Sequence, residues 1–315
     1  MHEILVENSA ASPMLAAQGL TRRFGTSIAV RDLNLNVARG EIHGLVGANG
    51  GGKSTILRIL AGVLRPTTGS ASINGLDVVV DASRVRRQVG YMPQRVALHD
   101  KLTVFENLRF RAALYGVNDL AATVARVAAE FNVLALLNTR VAALSGGQAR
   151  LTMLAASVLH VPRALLLDEP TAGLDAHARH VVWRHLTSLA QDDAAIIVAT
   201  HDLIEAERCA RVTVLSGGRV CAQGKPADLI AAVAAEAYLV TGKPSLLLAA
   251  AHATRPGVFA AYPFGAGIRI LAARGVLTPR DFDSSCMPMP LTFEDATVHV
   301  VVYDGCTDFA NEDSA

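Results

Sequence analysis

A glycine-rich stretch, Gly47-Ala48-Asn49-Gly50-Gly51-Gly52-Lys53-Ser54, is the most informative part of the sequence. It fits the pattern GxxxxGK[ST], follows a short apolar segment at 41–46 and precedes apolar residues in helical spacing at 54–64. A strand, a glycine loop and a helix in this order predict a phosphate-binding loop. The glycines let several backbone N–H groups converge on one phosphate chain, and the helix N-terminus adds its positive dipole.

This loop supplies the first candidate site residues. Lys53 is expected to place its charge on the β- and γ-phosphates, and the Ser54 hydroxyl is expected to be a ligand of Mg²⁺. The alternative, a glycine-rich turn with a surface lysine, does not require a strand before it and a helix after it. The predicted nucleotide-binding residues are Gly47, Asn49, Gly50, Gly51, Gly52, Lys53, Ser54 and Thr55.

Two carboxylates, Asp168 and Glu169, follow the continuous apolar segment 164–167. Such a segment is typical of a strand buried on both faces, and ligands of α/β proteins bind at the carboxyl ends of these strands. We expect Asp168 to hold Mg²⁺ through water and Glu169 to accept a proton from an attacking water. An acidic pair that merely faces solvent is the alternative, which the neighbouring phosphate loop disfavours.

Apolar strand-like segments alternate with helical patterns from residue 14 onward, which predicts an α/β fold with parallel strands at its centre. We expect a disordered tail at 1–13, a main domain at 14–232 with a helical insertion at about 95–160, and a small accessory α/β domain at 233–315. The strand-like segments of the main domain are 27–37, 41–46, 164–167, 196–199 and 212–215. The accessory domain combines strands at 238–240 and 267–272 with a helix at 245–253.

Composition excludes some classes of protein. The 315 residues include 29 basic and 28 acidic side chains, and a net charge of +1 predicts no nucleic-acid partner. The hydrophobic content of 51% suggests a membrane protein, but no run reaches the roughly 18–20 apolar residues of a span. Four scattered cysteines without a CxxC pair predict reduced thiols in a cytoplasmic protein.

Further motifs identify a family. Leu144-Ser145-Gly146-Gly147-Gln148 matches the signature motif of ATP-binding cassette (ABC) ATPases, and Phe24 in Arg22-Arg23-Phe24-Gly25 stands where the family stacks an aromatic ring on adenine. Gln94, Asp175 and His201 lie in segments that resemble the family's Q-loop, D-loop and switch histidine, in the family's order. These segments are Gly90-Tyr91-Met92-Pro93-Gln94, Gly173-Leu174-Asp175 and Thr200-His201-Asp202. The resemblance covers about 15–230.

The resemblance implies an ABC ATPase core: a mixed sheet with a parallel centre, an antiparallel β layer and a helical subdomain. It also implies a partner, because two cassettes, identical or different, dimerise and enclose two ATP molecules with Mg²⁺. Signature residues of one chain would bind the γ-phosphate held by the other; they are Ser145, Gly146, Gly147 and Gln148. Gln94 would contact Mg²⁺ and the attacking water, His201 the γ-phosphate, and Asp175 the dimer interface.

The chain departs from the family pattern at two places. The signature helix usually has an arginine four residues after the second glycine, whereas here Leu151 occupies that position and Arg150 stands one residue earlier. Phe24 replaces the commoner tyrosine and retains the stacking ring. Because every catalytic position is present, the sequence predicts a cassette that hydrolyses ATP and does not merely bind it.

Local matches favour an exporter subunit. Segments 102–108 (LTVFENL), 205–209 (EAERC) and 290–296 (PLTFEDA) resemble segments of bacterial exporter cassettes. They predict an ATPase on the cytoplasmic face of the membrane that powers export of a substrate, such as a drug-like or lipid-like compound. A separate transmembrane permease would dock on a groove within 95–115. An importer subunit and a soluble ABC ATPase without a transport role are the alternatives.

Overall fold

The computed structural model describes residues 12–241, 246–276, 278 and 286–302. The tail predicted at 1–13 therefore lies almost entirely outside the described residues. The chain divides into two compact units, with the division between Val220 and Cys221. The boundary predicted from the sequence at 232/233 stays a prediction.

The elements of the first unit alternate between strands and helices. The strands are β1 (Leu15–Phe24), β2 (Ser27–Val37), β3 (Ile42–Val46), β4 (Thr68–Ile73), β5 (Leu76–Asp77), β6 (Val89–Met92), β7 (Ala164–Asp168), β8 (Ala195–Thr200), β9 (Arg211–Ser216) and β10 (Arg219–Gly224), the last of which crosses the division. The helices are α1 (Lys53–Leu60), α2 (Ala82–Gln88), α3 (Val104–Leu114), α4 (Leu120–Glu130), α5 (Gly146–Val158), α6 (Ala176–Gln191) and α7 (Leu203–Ala206).

The central sheet has the strand order β10-β9-β3-β8-β7-β6. Strands β9, β3, β8, β7 and β6 pair in parallel, with Leu45 opposite Ala199 and Leu167 opposite Val198. Every residue of β3, β7 and β8 is buried, as expected for strands covered on both faces. The parallel arrangement brings the carboxyl ends of β3, β7 and β8 to the same edge of the sheet, and the predicted fold class is confirmed.

A second, antiparallel sheet has the order β2-β1-β4-β5. Its buried face joins α1 and the central sheet in one hydrophobic core. Representative members are Leu20 and Leu33 from the antiparallel sheet, Ile56 and Leu57 from α1, and Leu166 and Ile197 from the central sheet. Helix α1 is thereby fixed between the two sheets, and the loop before it is held at the sheet edge.

Helix α1 is shorter than the helical pattern at 54–64 predicts. It ends at Leu60, and Gly62 takes a φ of +64°, a left-handed conformation typical of helix ends. The N–H groups of Val63 and Leu64 then both donate to the carbonyl of Arg58, at 3.0 and 3.1 Å. The apolar pattern continues beyond the helix because these residues still cover the core.

The insertion predicted at 95–160 is helical, consisting of α3, α4, α5 and short 3₁₀ segments at 134–136 and 141–143. Both α3 and α5 begin with a capping box. Thr103 and Glu106 exchange hydrogen bonds at the start of α3, and Ser145 and Gln148 do so at the start of α5.

The second unit contains an antiparallel sheet flanked by helices. Its elements are α8 (Pro226–Ala232), β11 (Ala235–Thr241), α9 (Leu246–Ala253), β12 (Val258–Phe264), β13 (Gly267–Ala273), β14 (Cys286–Met289) and α10 (Phe293–Val302), and the strand order is β12-β13-β11-β14. The strands and helix expected near 238, 267 and 245 correspond to β11, β13 and α9.

Cys221 is disulfide-bonded, so the prediction of four reduced thiols is wrong at this residue. Cys209 and Cys286 are free.

A buried ion pair holds α10 against this sheet. Arg269 of β13 donates to both carboxylate oxygens of Asp295 of α10, at 2.5 and 3.1 Å, and both side chains are almost fully buried. Asp295 also accepts hydrogen bonds from the backbone N–H and the hydroxyl of Thr292, and Arg269 donates to the carbonyl of Pro290. Burial raises the pKa of Asp295, but the bonds from Arg269 and Thr292 outweigh it, so the net effect lowers the pKa.

No helix in the described part of the chain combines the length and the hydropathy that a membrane-spanning helix requires.

The first prediction concerns Arg269. The variant Arg269→Met should reduce the stability of the second unit by about 3–5 kcal/mol, because it leaves a buried carboxylate unpaired. Hydrogen exchange of the β11 and β13 amides measures this loss. The double variant Arg269→Met/Asp295→Leu removes both charges and should recover most of the protection. Equal protection in Arg269→Met and the wild type would show that the pair does not stabilise the unit.

The second prediction concerns His160, which stacks on Tyr115 with ring centroids 3.7 Å apart. Its Nε2 donates to the carbonyl of Val89, and its buried Nδ1 has no partner among the described residues, so the neutral ring fits. Burial lowers the pKa of His160 to about 4. Between pH 6.5 and pH 4 this histidine is protonated in the unfolded chain but stays neutral in the folded one. The free energy of unfolding therefore decreases as the pH falls, by about 2 kcal/mol at pH 5.

Urea unfolding followed by the fluorescence of Trp183, the single tryptophan of the chain, checks this pH dependence. The variant His160→Phe keeps a stacking ring without a titrating group, so its stability should depend less steeply on pH over this interval. An identical pH dependence in the variant and the wild type would contradict the assignment to His160.

Candidate nucleotide-binding site

The phosphate loop lies between β3 and α1 and is packed against neighbouring backbone. Gly52 has a φ of +94°, and a Cβ on it would lie 2.3 Å from the carbonyl oxygen of Ala29 in β2. A Cβ on Gly47 would lie 2.2 Å from the carbonyl oxygen of Leu215 in β9. Larger residues at these two positions would push the loop away from the sheets, so the glycines fix its path.

Lys53 is the first residue of α1, and its side chain folds over the loop. Its Nζ donates to the carbonyls of Gly47 and Ala48 at 2.6 and 2.9 Å. Burial lowers the pKa of Lys53, and the negative charges of Glu169 and Asp168 partly offset this effect. The ammonium group therefore lies at the inner wall of the loop, within the field of the acidic pair.

A cavity of about 360 Å³ opens above the loop. It brings together three of the predicted segments: the phosphate loop with the start of α1, Gln94 after β6, and the acidic pair at the end of β7. Its lining residues are Ala29, Asn49, Gly50, Gly51, Gly52, Lys53, Ser54, Thr55, Gln94, Asp168 and Glu169. Of the predicted loop residues, Gly47 is absent from this lining because it faces Leu215.

Asp168 is the last residue of β7, is 2% exposed and accepts a hydrogen bond from the Ser54 hydroxyl. Burial raises the pKa of Asp168, while the bond from Ser54 and the charge of Lys53 act in the opposite direction. The paired hydroxyl and carboxylate are hard oxygen ligands of the kind that Mg²⁺ prefers. No group of three or more His, Cys, Asp and Glu side chains that could hold a metal occurs among the described residues.

Glu169 follows in a strained backbone conformation with a φ of +52°. Its N–H donates to the carbonyl of Ala199 at 2.8 Å, which ties it to β8. Its Oε1 lies 2.8 Å from Nδ1 of His201 and accepts a bond of 3.1 Å from the His201 N–H. The structure thus brings His201 to the acidic pair, and the side chain of Glu169 is fixed at the cavity wall.

Glu205 is a buried carboxylate that the sequence did not identify as part of the site. Both of its oxygens accept hydroxyl hydrogen bonds, one from Thr171 after the acidic pair and one from Thr200 just before His201. Burial raises the pKa of Glu205, and the bond from Thr200 opposes that rise. Glu205 therefore links the loops after β7 and β8, which position Glu169 and His201.

Arg150 is the second residue that sequence reasoning undervalued. The family pattern makes it a displaced arginine of the signature helix, whereas in the structure its guanidinium donates to the backbone carbonyls of Glu169 and Gln94. The sequence does show a basic residue one turn into the helix that begins at the signature motif. It does not show which backbone carbonyls this residue binds, because carbonyls are the same at every position.

Other predicted site residues lie apart from this cavity within the single chain. Ser145 and Gln148 cap α5, and Gly146 and Gly147 form its first residues. Asp175 caps α6 by accepting a hydrogen bond from the N–H of Ala178 at 2.7 Å. Phe24 is 47% exposed, with the guanidinium of Arg22 4.5 Å from its ring centroid. The described cavity includes none of these residues, so their predicted roles need a second chain or a bound nucleotide.

A phosphate loop after β3, an acidic pair at the end of β7 in the same sheet and a helical insertion that carries the signature motif define the class of P-loop ATPases to which ABC cassettes belong. The family model described as ABC transporter matches residues 30–172. Nod factor export ATP-binding protein I of Rhizobium etli is 39% identical over 214 residues, which cover 67% of this chain and 68% of that protein. The chain therefore belongs to the ABC transporter family, as an ATP-binding cassette.

Other relatives and solved structures agree. The "probable multidrug ABC transporter ATP-binding protein YbhF" of Escherichia coli (strain K12) is 36% identical over 226 residues, and the match spans only 39% of that protein's length. A structure of an ATP-binding subunit of an ABC transporter superposes with a TM-score of 0.64 at 32% identity, covering 69% of this chain and 91% of the other. A dimeric ATP-binding cassette in a post-hydrolysis state with ADP and Pi matches at 25% identity with a TM-score of 0.64, covering 67% of this chain and 98% of the other.

The third prediction tests the phosphate loop. The variant Lys53→Ala should bind MgATP about 10- to 100-fold more weakly, because it loses charge-assisted hydrogen bonds to the phosphates. Isothermal titration with MgATP measures the change. Lys101→Ala, which removes an exposed lysine outside the cavity, is the matched control and should keep wild-type affinity. Unchanged affinity in Lys53→Ala would contradict the assignment of this cavity to nucleotide phosphates.

Proposed function

We propose that this chain binds and hydrolyses ATP and that the reaction powers export of a substrate through a separate membrane permease. One observation carries the hydrolytic part: the carboxylate of Glu169 lines the phosphate-loop cavity and is held there by His201. A fixed carboxylate beside a phosphate site is the arrangement that a general base for water attack needs.

Residues of the cavity, together with Phe24 outside it, have distinct tasks in this reaction. The N–H groups of the phosphate loop and the ammonium group of Lys53 bind the phosphate oxygens, and Ser54 and Asp168 would hold Mg²⁺, the latter through water. When bound, Mg²⁺ neutralises charge that develops on the β- and γ-phosphate oxygens. Gln94 orients the attacking water, and Phe24 provides a surface for the adenine ring.

Glu169 accepts the proton of the attacking water while the water oxygen bonds to the γ-phosphorus and the bond to the leaving oxygen of ADP breaks. The products are ADP and inorganic phosphate. His201, bonded to Glu169 through Nδ1 and its backbone N–H, would approach the γ-phosphate with the rest of its exposed ring. Through these contacts, His201 would link the position of Glu169 to the position of the γ-phosphate.

The signature residues complete the site in a dimer. Ser145, Gly146 and Gly147 form the N-terminus of α5, where backbone N–H groups and the helix dipole favour an anion. They lie apart from the cavity of their own chain, which supports a role for them, with Gln148 and Asp175, at the ATP of a second cassette. The dimeric form of the similar cassette with ADP and Pi supports the same arrangement.

Export is the direction that the relatives favour. The names of two similar proteins refer to multidrug transport and Nod factor export, and the segment PLTFEDA, which resembles a segment of exporter cassettes, supplies both the Asp295 carboxylate and the Pro290 carbonyl that bind the buried Arg269. We therefore place the chain at the cytoplasmic face of the membrane, as the ATPase of an exporter. A genomic neighbour that encodes a periplasmic binding protein instead of an export permease would support the importer alternative.

A cleft next to α3 supports the predicted permease contact. It has a volume of about 350 Å³ and is lined by Ser83, Arg86, Arg87, Arg111, Leu114 and Tyr115. Phe110 and Leu114 of α3 are 47% and 66% exposed, and the ring of Phe110 meets the ring of His99 edge-on with centroids 5.6 Å apart. Asn107 fixes the loop beside them through two bonds with the backbone of His99. A helix of the permease would cover these apolar groups.

The fourth prediction tests the base. The variant Glu169→Gln should lower the rate of ATP hydrolysis roughly 100-fold or more, because the amide cannot accept the proton. It should still bind MgATP and should accumulate as a nucleotide-bound dimer. Phosphate release and size-exclusion chromatography with MgATP measure the two effects. Glu130→Gln, which changes an exposed carboxylate of α4, is the control. Wild-type turnover in Glu169→Gln would exclude Glu169 as the base.

A further inference from the structure

The guanidinium of Arg150 joins two loops of the hydrolytic site. One terminal nitrogen donates to the backbone carbonyl of Glu169, and the other donates to the backbone carbonyl of Gln94 at 3.0 Å. These carbonyls follow β7 and β6, which are adjacent parallel strands. The planar fork of an arginine can bind two acceptors at once, whereas a lysine provides a single point charge.

The bond to Glu169 reaches a residue whose backbone is strained. A positive φ at a residue other than glycine costs about 1–3 kcal/mol and persists only where surrounding contacts hold it. Here the N–H of Glu169 is held by Ala199, and its carboxylate is held by His201. Its carbonyl is held by Arg150 and by a longer bond of 3.3 Å from the N–H of Ala172. Removing Arg150 therefore leaves only the longer of these two bonds on the carbonyl.

The same face of α5 also holds the segment after Gln94. Met153, three residues after Arg150, accepts a hydrogen bond on its sulfur from the N–H of Ala97 at 3.0 Å. Residues three apart on a helix share a face, so one face of α5 contacts the loop at both Gln94 and Ala97. Ser145 caps the N-terminus of this same helix. Arg150 therefore connects the signature helix to the catalytic loops of its own chain.

We propose that Arg150 is a positioning residue that holds Glu169 in the orientation required for hydrolysis and couples it to the Gln94 loop. The inference rests on the proposed function, because it presupposes that Glu169 activates the attacking water. ATP binding uses the phosphate loop, and among the described residues the hydrogen bonds of Arg150 go to Glu169 and Gln94, not to this loop. The two steps therefore depend on Arg150 differently, and only the chemical step requires it.

Steady-state kinetics of the full chain with MgATP separate these steps. The variant Arg150→Met should lower kcat about 10- to 100-fold, as expected for a small displacement of the base, and should bind MgATP within about twofold of the wild type. Arg150→Lys should have an intermediate kcat, because an ammonium group can hold one carbonyl but not both. Arg126→Met, which breaks an exposed ion pair on α4, is the matched control and should keep wild-type kcat.

A double variant distinguishes positioning from a general structural role. If Arg150 acts through Glu169, then Arg150→Met should cause little further loss in a Glu169→Gln background, measured with radiolabelled ATP. Independent effects would multiply instead. Trp183 fluorescence verifies that each variant is folded, and Arg150→Lys decides the question if Arg150→Met does not fold.

The outcomes separate this inference from the proposed function. Wild-type kcat in the folded Arg150 variant, an equal loss of ATP affinity and turnover, or multiplicative losses in the double variant would each overturn the role of Arg150. Hydrolysis that remains dependent on Glu169 would meanwhile leave the proposed function intact. A wild-type chain that does not hydrolyse ATP would overturn both.

Discussion

The close approach of the phosphate loop to the strands beside it is the constraint on which the site depends. A side chain at Gly52 would meet the carbonyl of Ala29, and one at Gly47 would meet the carbonyl of Leu215. Because both positions lack a Cβ, the loop lies directly at the edge of the central sheet. Only from that position can Lys53 and Ser54 lie beside the acidic pair at the end of β7, which is separated from them by more than a hundred residues of sequence.

The acidic pair depends in turn on contacts from three neighbouring elements. Strand β8 holds the N–H of Glu169, the residue after β8 holds its carboxylate, and α5 holds its carbonyl through Arg150. Glu205 adds a link between the loops after β7 and β8 through two threonine hydroxyls. The position of Glu169 thus depends less on its own strand than on the elements around it. A movement of α5 changes one of its supports directly.

The sequence allowed prediction of features that depend on local spacing. The phosphate loop and the buried strand before Asp168 each occupy a short segment whose pattern is sufficient. Helix α1 ended earlier than predicted, because Gly62 turns the chain while the apolar pattern continues. The bonds of Arg150 to backbone carbonyls could not be predicted, since every residue has a carbonyl and only the tertiary fold selects two of them. The hydrogen bonds from Thr171 and Thr200 to Glu205 could not be predicted for the same reason.

The buried pair between Arg269 and Asp295 has a consequence for engineering. The two residues lie 26 positions apart, on different elements, yet neither charge is tolerable in the interior without the other. A chimera that takes α10 from another cassette must therefore also take the strand that carries the matching arginine. Strand β13 and helix α10 must therefore be exchanged together. A chimera with its junction between them would bury an arginine or an aspartate without its partner.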